Sequence, residues 1–416
     1  MTEDILPDPS YRVVIIGGGH AGGLVAAQLK QFSFPGQITI VGEERHAPYQ
    51  RPPLSKSWLV SDATEASVLL KPEDWYEKNG IDLRIGQVAR KIDRTKCEVE
   101  LEDGETLSYD SLILATGARA RVLPIEGAES QNVFSVRTPE DSLALRRALG
   151  PGKTFVLIGA GYIGLEVAAA IQKTGGRAIV IEREARVLAR VASPTFAAFI
   201  TKRHVEEGVQ FETGAHVSAV DASDGLAKAV VMSDGTRIAC DGIVVGVGVL
   251  ANDELARAAG LDCDQGVFVD ENSRTADSCI FAIGDVSRRP VVGYDLVQRL
   301  ESVPSAIEQA RQVAMQICGK DPAASDIPWF WSDQYDMKLQ IAGLWAGCDQ
   351  QVVRKSAALD RFMVFHLTGN CVRAVESCGS VQDFMAARKL IARGQTVDAS
   401  ALANSETDLK TLMTAG

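Results

Sequence analysis

Gly17, Gly19 and Gly22 stand at G-x-G-x-x-G spacing in VVIIGGGHAGG, and Gly159, Gly161 and Gly164 repeat that spacing in FVLIGAGYIGLE. The chemistry this spacing serves is pyrophosphate binding. The first glycine allows a tight turn, the second lets backbone approach the phosphates, and the third lets a helix pack close on a strand. The helix start then offers free N–H groups and a positive dipole end to the anion. Glu43 and Glu182 follow the two sets by about 20 residues, where an acid accepts hydrogen bonds from ribose hydroxyls. One set alone is a weak signal in a chain with 37 glycines. Two sets, each with its acid, read as two bound dinucleotides, of which one can be a tightly held flavin and the other an exchangeable nicotinamide. Glu182 favours NADH over NADPH, since a carboxylate repels a 2′-phosphate; Arg183 and Arg186 are the opposing signal.

Each fingerprint needs a buried strand before it and a helix after it. Val13–Ile16 and Phe155–Ile158 are apolar and rich in β-branched residues, and small or apolar runs follow both glycine sets. A second strand, Ile38 to Val41, carries Glu43, and Ala178 to Ile181 carries Glu182. Two further buried runs end in glycine: Leu112–Ala115, closing at Thr116-Gly117, and Cys279–Ser287, which contains Gly284-Asp285. Asp285 can reach a sugar-alcohol chain or serve as a turn residue. Hairpin turns are expected at Glu102-Asp103-Gly104 and Ser233-Asp234-Gly235. Residues 301–320 read as an amphipathic helix opened by Pro304 and closed by Gly319. Alternating residues from Trp329 to about Cys378 read as antiparallel strands, with helical ends at Val381–Ala392 and near Asp408–Met413.

Between these elements, Pro48, Pro52 and Pro53 exclude a regular helix or central strand through residues 45–59. Arg51 and Lys56 on that stiff loop are placed either beside a flavin ring and its phosphates or simply in solvent. The net charge of −11 argues against general nucleic-acid binding. No apolar run reaches ~18 residues, so no membrane span is expected. The start, MTEDILPDPSYR, has no signal-peptide character and reads as a loose lead-in. Eight cysteines form no C-x-x-C and no metal-ligand spacing, so no metal site is expected.

The motifs PYQRPPLSK, LILATGAR, VRTPED, GYIGLEVAA, IFAIGDV, ESVPSAIEQAR and PWFWSDQY, with the first fingerprint, cover nearly the whole chain. Together they resemble the FAD-dependent NADH:ferredoxin reductases of bacterial oxygenase systems, in the glutathione-reductase structural superfamily. The resemblance implies an α/β fold: two Rossmann-like dinucleotide-binding domains, for FAD and NAD, plus a C-terminal α+β domain. The expected boundaries are 1–118 and 247–326 for the two FAD-binding segments, 119–246 for the NAD-binding domain and 327–416 for the C-terminal interface domain. It implies FAD contacts from Gly17, Gly19, His20, Ala21, Gly22, Glu43, Arg51, Lys56, Val88 (through its backbone), Ala115, Thr116, Gly117, Arg137, Gly284, Asp285, Val303 and Trp331. NAD contacts fall to Gly159, Gly161, Tyr162, Ile163, Gly164, Glu166 and Glu182. Lys56, Glu166 and Trp331 are the catalytic candidates: Glu166 facing the nicotinamide, Lys56 near the flavin ring, Trp331 at the flavin edge. Lys56 and Glu166 are opposite charges, and a pairing of the two near the flavin would help hold both rings.

The resemblance also implies the acceptor. Disulfide reductases of the superfamily use a cysteine pair near the start of the first domain, yet residues 1–96 contain no cysteine. Electrons are therefore expected to leave singly, to a two-iron two-sulfur ferredoxin feeding a haem-thiolate monooxygenase or ring-hydroxylating dioxygenase. Docking is expected near Arg311, Trp331, Lys338 and Arg388, with Lys389 beside them, on a cytoplasmic protein that is a monomer or weak dimer. The alternatives are a rubredoxin or monodehydroascorbate-type reductase, or an NADH-sensing interaction protein of the apoptosis-inducing-factor kind.

Overall fold

The computed structural model describes residues 8–356 and 361–413; most of the expected lead-in, residues 1–7, lies outside them. The described residues form two compact units.

The first unit holds the chain through Gln50, Glu65–Arg119 and Leu250–Trp329. Its sheet runs in the order Ile280–Ala282, Ser111–Leu114, Arg12–Ile16, Gln37–Gly42, Ile81–Ile85, and every pairing is parallel. Parallel strands are covered on both faces, which is why RVVII and SLIL are almost unbroken apolar runs. One face packs Val13, Ile15 and Ile113 under the helices His20–Gln31 and Val303–Ile317, and the other packs Val14, Ile16 and Leu112. From Arg12–Ile16 the sheet grows to both sides, so a crevice opens at the carboxyl end of that strand, where Gly17 lies.

The second unit holds Arg51–Thr64, Ala120–Val249 and the described residues from Phe330 on. Its parallel sheet repeats the plan in the order Gln210–Thr213, Arg177–Glu182, Thr154–Ile158, Gly242–Val245, Val133–Phe134. An antiparallel sheet follows, in the order Trp329–Gln334, Met337–Gly343, Cys371–Cys378, Arg361–Thr368, Gln350–Ser356. One core joins the two sheets: Leu165, Phe196 and Val180 pack with Leu339, Phe362 and Val364. Phe199 stacks on Phe362 with ring centroids 4.5 Å apart.

The architecture is the α/β class expected. Local details differ. The proline loop is not devoid of helix: Pro52–Ser55 makes a 3-10 turn and Ser57–Val60 one α-turn, because proline suits the first positions of a helix, where its missing N–H costs nothing. Within Arg51–Thr64, placed by sequence in the first FAD segment, Leu59 is buried in the second unit's core, worth roughly 2 kcal/mol. Arg146 donates to the carbonyls of Trp58, Ser61 and Ala63. The structure adds the helices Pro139–Ala148 and Pro194–Glu206, the first opened by a capping box of Thr138 and Asp141 and the second by Ser193, which accepts the Phe196 N–H.

Candidate cofactor sites

In the first unit, Gly17 has φ +116°, and a Cβ there would overlap the carbonyl oxygen of Ala115. A Cβ on Gly22 would overlap the carbonyl of Gly17 in turn. The turn therefore tolerates nothing but glycine at both places. Gly19 is the N-cap of His20–Gln31 without a side-chain cap, and no acid stands in the first turn. The N-cap therefore brings no side chain of its own to the helix start, and no first-turn carboxylate neutralises its positive dipole end. Ala21 meets the neighbouring turn, since a Cβ on Gly284 would lie 3.0 Å from its Cβ. These features fit a bound pyrophosphate.

The surrounding groups are held by residues that sequence reading did not single out. Thr116 Oγ1 donates to the Asn252 carbonyl (2.7 Å), and Asn252 Nδ2 donates to the Thr116 carbonyl (2.9 Å), which fixes the Ala115-Thr116-Gly117 turn. Gln309, fully buried, accepts the Gly284 N–H at 2.9 Å and donates to Ser287 at 2.8 Å, fixing the turn that carries Asp285. A glutamine on the apolar face of the 301–320 helix was the available signal. Glu43 is exposed just past Gly42, and Val303 is the first residue of a helix capped by Ser302. The Val88 carbonyl accepts from Glu102 N–H at 2.8 Å.

In the second unit, a Cβ on Gly159 would overlap the Gly246 carbonyl, whereas Gly161 faces open space. The helix Tyr162–Lys173 again starts without a side-chain cap or a first-turn acid. Glu182 is oriented by two backbone donors, Ala160 N–H (2.7 Å) and Glu184 N–H (2.9 Å). The two arginines that argued for a 2′-phosphate are engaged elsewhere. Arg183 pairs with Glu184 at 3.2 Å, and Arg186 donates to the carbonyls of Val187, Leu188 and Ala189. Ile163 is exposed. Tyr162 lies edge-on to Phe330, and burial pushes its phenol well above its ordinary pKa.

Glu166, one turn into that helix, is 6 % exposed yet carries three donors. Lys56 Nζ lies 2.9 Å away, Ser332 donates at 2.6 Å, and Ser55 donates to the other carboxylate oxygen. Three such donors offset the cost of burying a carboxylate. Lys56 also donates to the Pro52 carbonyl (3.2 Å), so the proline turn aims it. Arg51 donates to the Arg137 carbonyl at 2.7 Å, which joins those two predicted residues. Arg51, Lys56, Arg137 and Trp331 thus belong to the second unit and the other predicted flavin contacts to the first. Of the residues expected at a docking surface, Arg311 belongs to the first unit; Lys338, Arg388 and Lys389 belong to the second.

The model of the family described as pyridine nucleotide-disulphide oxidoreductase matches residues 11–310, and that described as reductase C-terminal matches residues 329–413. The chain belongs to the pyridine nucleotide-disulphide oxidoreductase family. As a flavoprotein member it uses FAD and NAD(H). Among similar proteins, a probable ferredoxin reductase of Castellaniella defragrans is 42% identical, covering 96% of this chain and 98% of that one. Putidaredoxin reductase of Pseudomonas putida is 40% identical, covering 97% of each. The ferredoxin–NAD(+) reductase component of the anthranilate 1,2-dioxygenase system of Burkholderia cepacia is also 40% identical, covering 96% and 98%. Among solved structures, the covalent putidaredoxin reductase–putidaredoxin complex matches with a TM-score of 0.95 at 39% identity, covering 98% of this chain and 99% of that one. All eight cysteines are free, and Cys97 is the first in the chain. Among the described residues no helix is long and apolar enough to cross a membrane, and no His/Cys/Asp/Glu group could hold a metal ion.

Proposed function

We propose that this oxidoreductase takes a hydride from NADH and passes electrons one at a time to a two-iron two-sulfur ferredoxin that serves an oxygenase. The observation that carries the reading is the lack of any cysteine in residues 1–96, in a family named for a disulphide. With no thiol there, the electrons go outward to a carrier. The full-length similarity to ferredoxin reductases of oxygenase systems supports the same acceptor.

FAD, when bound, supplies the exchange between a two-electron donor and a one-electron acceptor. The chain's part is to bind and orient. Gly17, Gly19 and Gly22 with the His20–Gln31 helix start hold one pyrophosphate, and Glu43 holds its ribose. Gly159, Gly161 and Gly164 hold the other, and Glu182 selects the unphosphorylated ribose. Glu166 faces the nicotinamide with Lys56 as its counter-charge, Tyr162 covers the flavin face where the nicotinamide docks, and Trp331 lies on the route to the partner. Arg311, Lys338 and Arg388 steer an acidic ferredoxin despite the acidic whole. We read the protein as cytoplasmic, monomeric or weakly dimeric, with the three-domain division at 118/119, 246/247 and 326/327.

The test is anaerobic mixing of the yellow protein with NADH, then with oxidised two-iron ferredoxin, following both chromophores. Fast bleaching followed by ferredoxin reduction is expected. Slow bleaching with a persistent long-wavelength band would replace this reading with that of an NADH-sensing protein.

A further inference from the structure

Glu166 stands at the end of a buried chain of side chains that the proposed reaction does not otherwise use. Ser332 donates to Glu166 Oε1 at 2.6 Å, Gln334 Nε2 donates to Ser332 Oγ at 3.0 Å, His204 Nε2 meets Gln334 Oε1 at 2.8 Å, and the Tyr335 hydroxyl meets His204 Nδ1 at 3.3 Å. Ser332, Gln334 and His204 are essentially unexposed. Strand alternation turns Ser332 and Gln334 to one face of Trp329–Gln334, and the helix Pro194–Glu206 supplies His204 near its end.

Hydrogen-bond inventory fixes every direction in this chain. The single Ser332 proton goes to the carboxylate, so its oxygen accepts from the Gln334 amide. With its NH₂ so used, Gln334 presents its carbonyl to His204, which requires the Nε2–H tautomer. Nδ1 is then an acceptor and takes the Tyr335 proton. All four donors point toward Glu166, an arrangement in which each bond polarises the next. The outer end is also strained: Tyr335 has φ 55° in the turn before Met337–Gly343, a conformation that a bulky residue holds only when its surroundings demand it. Burial pushes the His204 imidazole down, which keeps it neutral and preserves the tautomer.

We infer that His204 and Gln334 are positioning residues: through Ser332 they set the orientation of the Glu166 carboxylate against Lys56, and hence the affinity of the site for nicotinamide. The inference rests on the reading of Glu166 as the nicotinamide-facing acid. The probe is 1,4,5,6-tetrahydro-NAD, a redox-inert analogue of NADH, titrated into the FAD-loaded protein. Gln334→Met keeps the volume and removes the donor. It is expected to weaken analogue binding about tenfold with FAD content unchanged. His204→Gln keeps a donor toward Gln334 and is expected near wild type. Nitrogen-15 NMR of the wild-type imidazole should show the Nε2–H tautomer at neutral pH. Unchanged analogue affinity in Gln334→Met, an equal loss in His204→Gln, or the Nδ1–H tautomer would overturn the inference. Should Gln334→Met fail to retain FAD, Tyr335→Phe decides: about twofold weaker binding is expected, and unchanged binding overturns it. Glu166→Gln separates the two levels. If it weakens the analogue and Gln334→Met does not, only the chain fails; if Glu166→Gln also leaves the analogue unaffected, the reading of Glu166 fails with it.

Discussion

Acid should weaken this protein through His204 in a way that one substitution removes. The side chain is wholly buried, and its imidazole is pushed from 6.5 down to about 4 by desolvation; the Gln334 bond opposes this and the charge of Arg203 adds to it. The unfolded chain binds a proton as pH falls through 6.5, whereas the folded chain resists until about 4. Unfolding therefore takes up protons in that window, so the stability is whole above 6.5 and lost as pH falls toward 4. At ~1.4 kcal/mol for each tenfold difference in proton affinity, His204 alone removes about 2 kcal/mol by pH 5 and about 3 kcal/mol by pH 4. Denaturant unfolding of FAD-loaded wild type and His204→Gln across this range isolates the term, because carboxylates common to both proteins cancel. The wild type should lose stability more steeply as pH falls. Parallel pH profiles would refute the reasoning, and so would an imidazole that titrates near 6.5 by NMR.

Gly17→Ala should yield protein nearly free of flavin, with an absorbance ratio at 450 to 280 nm below about a tenth of normal, since the methyl would overlap the Ala115 carbonyl; a fully yellow variant contradicts this. Glu376→Ala strips an acceptor from His366 Nε2 (2.8 Å) and from both the N–H and hydroxyl of Ser193 in a wholly buried site, and should cost about 3–5 kcal/mol in denaturant unfolding at neutral pH. Rising salt should slow ferredoxin reduction, with a shallower slope in Arg311→Glu, and equal slopes in the two proteins would refute the steering.

Local chemistry was legible and long-range chemistry was not. The two glycine fingerprints and their acids can be read because turn, phosphate contact and ribose contact all lie within one strand–helix–strand unit. The Lys56–Glu166 ion pair joins charges 110 positions apart and was reached only through resemblance. Ser55, Ser332, Gln334 and His204 were passed over because single serines, glutamines and histidines carry no spacing signature; Ser332 meets its partner across 166 positions. A faint signal existed, since Ser332 and Gln334 alternate with exposed Asp333 where a buried face calls for apolar residues. Asn252 and Gln309 were missed likewise, as each serves backbone groups of a distant turn.

The strand order of the first sheet has a consequence for synthesis. Ser111–Leu114 pairs with Arg12–Ile16 on one side and Ile280–Ala282 on the other. At translation rates of 5–20 residues per second, the last strand, about 170 residues later, follows by roughly 10–30 s. Throughout that interval the growing chain carries an unpaired parallel edge that is apolar at Leu112, Ile113 and Leu114, a template for pairing with neighbouring chains on the same message. The nucleotide sheet of the second unit, whose strands all lie between Val133 and Val245, is complete before that edge is closed. Overproduction at high ribosome density should therefore yield aggregates held through the first unit, and slower initiation at lower temperature should relieve them.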